Sequence, residues 1–215
     1  MKDQQKKYEL TGDFIEHCSG KKLYRIRALV SFGVVVAGQL GGFVESEQNL
    51  DQSLSGNAWV YGNAQVYGNA WVYGNAQVYG NAWVYGNAQV SGDALVSGNA
   101  RVSGNAQVYG NAQVYGNANV SGDAKVYGNA QVSGNALVES CAVIYDRKMI
   151  FWASHVGSEN GTLTVYNGKD GLIVTRGCFV GTVDEFLEKS AKVHNEKTKR
   201  EYHLLIEVAK SRILG

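Results

Sequence analysis

The chain has 215 residues and a net charge of +1, from 20 Lys/Arg against 19 Asp/Glu. That length suits one elongated domain with small ends. The repeated centre has too few charges to neutralise a row of phosphates, so nucleic acid is not an expected partner. Cys18, Cys141 and Cys178 are too far apart for a metal motif or a disulfide framework. No signal peptide of ordinary form is apparent, and a reducing cytoplasm is the expected compartment.

Residues 1–55 read as a β-rich N-terminal cap and lead-in. Residues 7–11 and 22–30 carry strand formers separated by Gly and polar residues, and 32–36 is a further apolar stretch. The run 28–38 follows basic residues, as a membrane anchor would. Its eleven residues cannot cross about 30 Å of hydrocarbon, so a buried strand is expected and no membrane contact. Leu50 and Leu54 are expected in an imperfect first turn.

From Gly56 to Glu139 a six-residue unit, Gly-Asn-Ala-x-Val-(Tyr/Ser), recurs fourteen times without a break, and a worn copy follows at Ser140–Tyr145. In an extended chain, residues two apart share a side. Each unit therefore offers a strand of three or four residues with Ala and Val facing inward. The intervening residue and the Tyr or Ser face outward, and Gly-Asn makes the corner. A period of six is not helical, and one Gly per unit would cost a helix roughly 1 kcal/mol each time. The strands are too short for a hairpin meander. A solenoid of parallel strands remains, with Asn ladders at its corners.

This unit resembles the hexapeptide repeat of left-handed parallel β-helices. The resemblance implies a triangular prism with eighteen residues per coil and left-handed crossovers, an exception to the usual rule. Fifteen copies then make about five coils over residues 56–145, on the order of 24 Å long at about 4.8 Å per rung. The lead-in at 39–44 resembles that of some bacterial hexapeptide-repeat proteins, where a short strand pair precedes the first coil.

Residues 146–215 read as an α+β C-terminal cap. Residues 149–153, 162–166 and 172–175 look like strands, with a hairpin loop at 167–171. Two Thr-x-x-Glu capping boxes, at 182–185 and 198–201, announce two helices. Phe186 and Leu187, then Leu204, Leu205, Val208 and Ile213, supply their apolar stripes. Cys178 is expected to be buried in a strand-to-helix turn, with His155 the one moderately near base. The segment Gly177-Cys178-Phe179-Val180-Gly181-Thr182 resembles a terminal module of phage and prophage hexapeptide-repeat proteins.

The wider hexapeptide family includes acyltransferases, which resemble one another in a loop thrown out of the coil and a histidine base. Here the repeat has no insertion, and His17, His155, His194 and His203 all lie outside it. No catalytic residue, cofactor or metal is therefore assigned. With eighteen residues per coil, Trp59, Trp71 and Trp83 fall on three different sides. One side carries Tyr73, Ser91, Tyr109, Tyr127 and Tyr145. The expected interaction surface is Trp59, Trp71, Tyr73, Trp83, Tyr109, Tyr127 and Tyr145. The leading reading is a non-catalytic scaffold or interaction protein of phage type. Its partner would be itself, as a trimer or polymer. The alternative is a module that binds a ligand, a host protein or a glycan.

Overall fold

A computed structural model describes residues 5–215. The inward pair behaves as its chemistry requires. Ala and the aliphatic residue of every unit, from Ala58 to Ile144, are at most 1% exposed and form one continuous core. The hydrogen-bonded strands are only two residues long, from Trp59–Val60 to Val143–Ile144. They are shorter than expected, and in several units the Ala amide is spent on the corner and not on the ladder. Ala64 N donates to Tyr61 O at 3.1 Å and Ala100 N to Ser97 O at 3.2 Å, which closes a tight turn around Gly-Asn.

Each strand pairs in parallel with the strand one coil on, as in Gln77↔Leu95↔Gln113, so three sheets run along the prism. The turn glycines from Gly62 to Gly134 hold φ between +61° and +74°, a region open to Gly at little cost. In the worn copy Ser140 takes that place at φ +58°. Corner asparagines ladder as expected: Asn81 Nδ2 donates to Asn99 at 3.3 Å, and Asn99 to Asn117 at 3.0 Å.

One sheet holds six parallel strands, Leu40–Val44 followed by five from the repeat. The solenoid therefore has about six turns, one more than the repeat count, because the lead-in is itself a rung. Leu50 completes that turn by bridging Val72, whereas Leu54 is exposed and lies outside it. On its other edge Leu40–Val44 pairs antiparallel with Lys22–Ala28, which pairs with Tyr8–Glu16. The N-terminal sheet thus grows directly out of the solenoid.

Residues 28–38 are not a buried strand. The regular pairing ends at Ala28, and Ala28 N and O are bonded to Gln39 O and Gly38 N, which closes a loop. Gly33 and Gly38 turn it with positive φ. Val35 is buried, but Val34 is 79% exposed. The loop turns Phe32 and Val35 onto the core instead of lying flat.

The C-terminal cap is a four-stranded antiparallel sheet of Ile150–Val156, Gly161–Gly168, Gly171–Arg176 and Phe179–Thr182, followed by α1 (Val183–Val193) and α2 (Glu196–Leu214). The fourth strand was not expected. It places Cys178 in an exposed turn between strands, not buried at a helix entry. The first capping box holds: Thr182 N donates to Glu185 Oε2 at 2.7 Å. The second does not. Asn195, three residues before Thr198, accepts the Thr198 amide at 2.9 Å and caps α2 first, so Thr198 lies inside the helix. The buried face of α2 is Tyr202, Ile206, Ala209 and Ile213, while Leu204 and Val208 are exposed. Among the described residues no helix is long and apolar enough to cross a membrane.

The corners stack so closely that a Cβ on Gly98 would sit 2.9 Å from Gly116 O. Gly98→Ala is predicted to cost about 1–3 kcal/mol, from the left-handed backbone and this contact. Ser140→Gly should gain about 1 kcal/mol by relieving the same strain. Paired chemical denaturation curves check both signs.

Candidate interaction surface

The outward positions sort onto three sides, as the eighteen-residue spacing requires. The first carries Trp71, Gln89, Gln107, Lys125 and Val143 before the inward aliphatic residue, and Tyr73, Ser91, Tyr109, Tyr127 and Tyr145 after it. Here the aromatic residues meet. Trp71 stacks on Tyr73 with centroids 4.0 Å apart. Tyr109 stacks on Tyr127 at 4.9 Å and 6°, and Tyr127 meets Tyr145 at 5.6 Å. The one-rung rise of a parallel sheet, about 4.8 Å, sets the tyrosine separations, whereas Trp71 and Tyr73 are neighbours within one rung. Trp71 is 41% and Tyr145 47% exposed. Burial against its neighbours raises the Tyr109 phenol above its ordinary pKa, and Tyr127 adds to the shift.

Ser91 interrupts this file. The missing ring opens a groove of about 330 Å³ between Tyr73 and Tyr109, with Gln89, Ser91 and Gln107 as its other lining residues. Lys125 is the one formal charge among the ten outward residues of this side.

The structure removes Trp59 from the expected surface. Trp59 is 0% exposed, with Tyr8 at 6.0 Å and Phe32 at 5.4 Å, centroid to centroid. A Cβ on Gly41 would lie 2.8 Å from the Trp59 ring, and one on Gly42 2.6 Å from Ala64 O. The glycine pair lets the lead-in strand press onto the coil, with Trp59 beneath it. That pair was the available signal, since Gly inside a strand marks a close backbone approach. Trp83 lies on another side, between His17 at 5.5 Å and the Arg101 guanidinium at 4.7 Å. On that side Tyr67 is almost covered, and burial pushes its phenol up to about 12. The structure therefore brings together Trp71, Tyr73, Tyr109, Tyr127 and Tyr145, and separates Trp59 and Trp83 from them.

No loop interrupts the rungs from Trp59 to Ile144, and the four histidines stay in the flanks. Among the described residues no three His, Cys, Asp or Glu gather as metal ligands. The first side offers aromatic rings, two amides, five hydroxyls and the Lys125 ammonium, a chemistry of contact and hydrogen bonding.

The repeat matches the YdcK β-solenoid repeat over residues 64–78, 76–92, 88–104, 94–110 and 112–128. No curated protein matches the chain. Family match and geometry agree that the centre of the chain is a β-solenoid repeat.

The two tryptophans should separate in stability measurements. Trp59→Ala is predicted to cost about 3–5 kcal/mol, as a fully packed ring. Trp71→Ala should cost about 0.5–1.5 kcal/mol, the scale of one aromatic pair. Denaturant titrations of the two variants test the contrast.

Proposed function

We propose that this β-solenoid repeat protein is a non-catalytic scaffold, a prism closed at both ends that offers one aromatic side to a partner. The observation that carries the reading is the contrast between its ends and that side. Open ladder edges invite end-to-end pairing, but both ends here are covered by sheets of the same chain. Among the described residues no ring of either flank packs on the Trp71–Tyr145 side, which is nearly uncharged and holds its rings in register.

A second copy is the first candidate partner. Two identical files of rings and amides are self-complementary about a two-fold axis, so pairing would be side by side and not end to end. A glycan is the second reading, favoured by the one-ring gap at Ser91 with Gln89 and Gln107 beside it. The phage setting rests on the resemblance of the C-terminal cap, the 177–182 segment with the helices after it. Three unpaired cysteines suit a reducing cytoplasm.

Sedimentation velocity over a hundred-fold concentration range tests self-association. The wild type should move from monomer toward a dimer. Tyr109→Ala/Tyr127→Ala should weaken that association at least ten-fold, because it removes the central stack. A wild-type monomer at every concentration, or a variant that associates equally well, would refute pairing through this side.

A further inference from the structure

We propose that the C-terminal cap holds a binding pocket for a small organic carboxylate with an apolar body. This site is separate from the aromatic side of the solenoid and does not depend on the scaffold reading. A cavity of about 330 Å³ opens between the sheet turn at Gly177–Cys178, α1 and α2. Its size is at the lower end for small-molecule sites.

One wall is aromatic. Phe179 and Phe186 meet at 5.4 Å, and Phe186 meets Tyr202 edge-on at 5.1 Å. A cation stands at each end of that wall. Lys189 Nζ lies 5.2 Å from the Phe179 centroid, and Arg176 Nε donates to Tyr202 Oη at 3.1 Å.

Arg176 is the anchor of the inference. Its side chain is only 11% exposed, so its charge is largely removed from water. Its hydrogen-bond partners are the Tyr202 hydroxyl and, at 3.3 Å from Nη2, the Val156 carbonyl. Neither carries a charge. The nearest acid, Glu159, is 3.8 Å from Nη1 and 82% exposed. A guanidinium this buried, whose one nearby carboxylate stands in solvent at 3.8 Å, is costly unless an anion completes it. Nε and Nη2 are already bonded, and the Nη1 N–H groups, beyond hydrogen-bond distance of Glu159, suit an oxyanion. Ser190, buried and facing both this cavity and a shallower groove between the helices, has a hydroxyl with no partner among the described residues. It supplies a donor for the same group.

The charges select the ligand class. Arg176 and Lys189 bring two positive charges and Glu159 one negative, so a monoanion balances the pocket and a dianion does not. The Phe179–Phe186 wall calls for an apolar body behind that charge. A monocarboxylate on an aromatic or aliphatic frame meets both conditions.

Amide chemical shifts of the full chain, titrated with sodium benzoate, test the assignment. The amides of Gly177, Cys178, Lys189 and Ser190 should shift saturably, with Kd about millimolar for so small a probe. Benzyl alcohol, the uncharged counterpart, should give no saturable shift. Lys189→Gln, at an exposed position, should weaken benzoate at least five-fold with the spectrum otherwise unchanged, and Arg176→Gln should abolish binding. Absence of saturable shifts, equal binding of benzyl alcohol, unchanged affinity in Lys189→Gln, or binding of inorganic phosphate in place of benzoate would each overturn the proposal.

Discussion

A backbone hydrogen bond from each coil to the next governs this molecule. Gln77 N donates to Ala94 O, Leu95 N to Ala112 O and Gln113 N to Ala130 O, each at 2.9 Å, and the same step recurs on all three sides. Coils held at one rung spacing leave a narrow interior, which Ala and Val fill in alternation. The same step stacks corner on corner. A Cβ at Gly92 or Gly104 would stand 2.8 Å from the backbone of the glycine above it. The Gly, the Ala and the Val of the unit thus answer one spacing, while the residues either side of Val vary and, in the fourteen unbroken copies, the corner Asn gives way only to Asp93 and Asp123.

A ladder without ends of its own needs something to stop it, and the flanks do so with side chains. At the C-terminal end Leu137 N donates to Thr164 Oγ1 at 3.1 Å, and Leu137 O accepts from Thr175 Oγ1 at 2.6 Å. The Tyr166 hydroxyl donates to Glu139 O at 2.9 Å and accepts from Glu139 N at 3.1 Å. Three hydroxyls stand in for the next rung. At the other end Asn49 Nδ2 donates to Gly68 O and Ala70 O, both at 2.9 Å. Lys7 is buried and donates to Gly56 O at 3.1 Å, and that burial lowers its ammonium pKa. Glu45 Oε2 accepts from Gly68 N at 2.7 Å. Burial raises the Glu45 pKa, but hydrogen bonds from Lys21 and this amide outweigh it and hold the carboxyl below its usual range. Its contribution is present above the unfolded pKa and fades as pH falls through the folded one.

What could be read from the residues was what the local period controls. The inward Ala–Val pair, the glycine corners, the asparagine ladders and the division of outward residues among three sides all follow from a unit of six. What escaped was decided by contacts between distant segments. Trp59, Trp71 and Trp83 sit in near-identical units, yet one is buried, one exposed and one half covered. Only the chain laid over them differs. The sixth turn was hidden because Leu40–Val44 lacks the repeat signature and shares only its geometry. In the cap, Asn195 outranked the more conspicuous Thr198. Phe179–Thr182 pairs as a strand although glycines and a cysteine surround it. The Arg176 cavity has no linear motif, since its walls come from the turn at Ser158–Glu159, two strands, α1 and α2.

The account makes the coil-to-coil ladder the source of order, and native-state hydrogen exchange measures that ladder amide by amide. Amides before and after Val, such as Gln107 and Tyr109, should be strongly protected in every central coil, while the turn glycines beside them, which donate to no backbone acceptor in the next coil, exchange fast. A six-residue alternation of slow and fast amides is the predicted result. Equal protection of glycine and its neighbours, or central coils that exchange as fast as the chain ends, would contradict it.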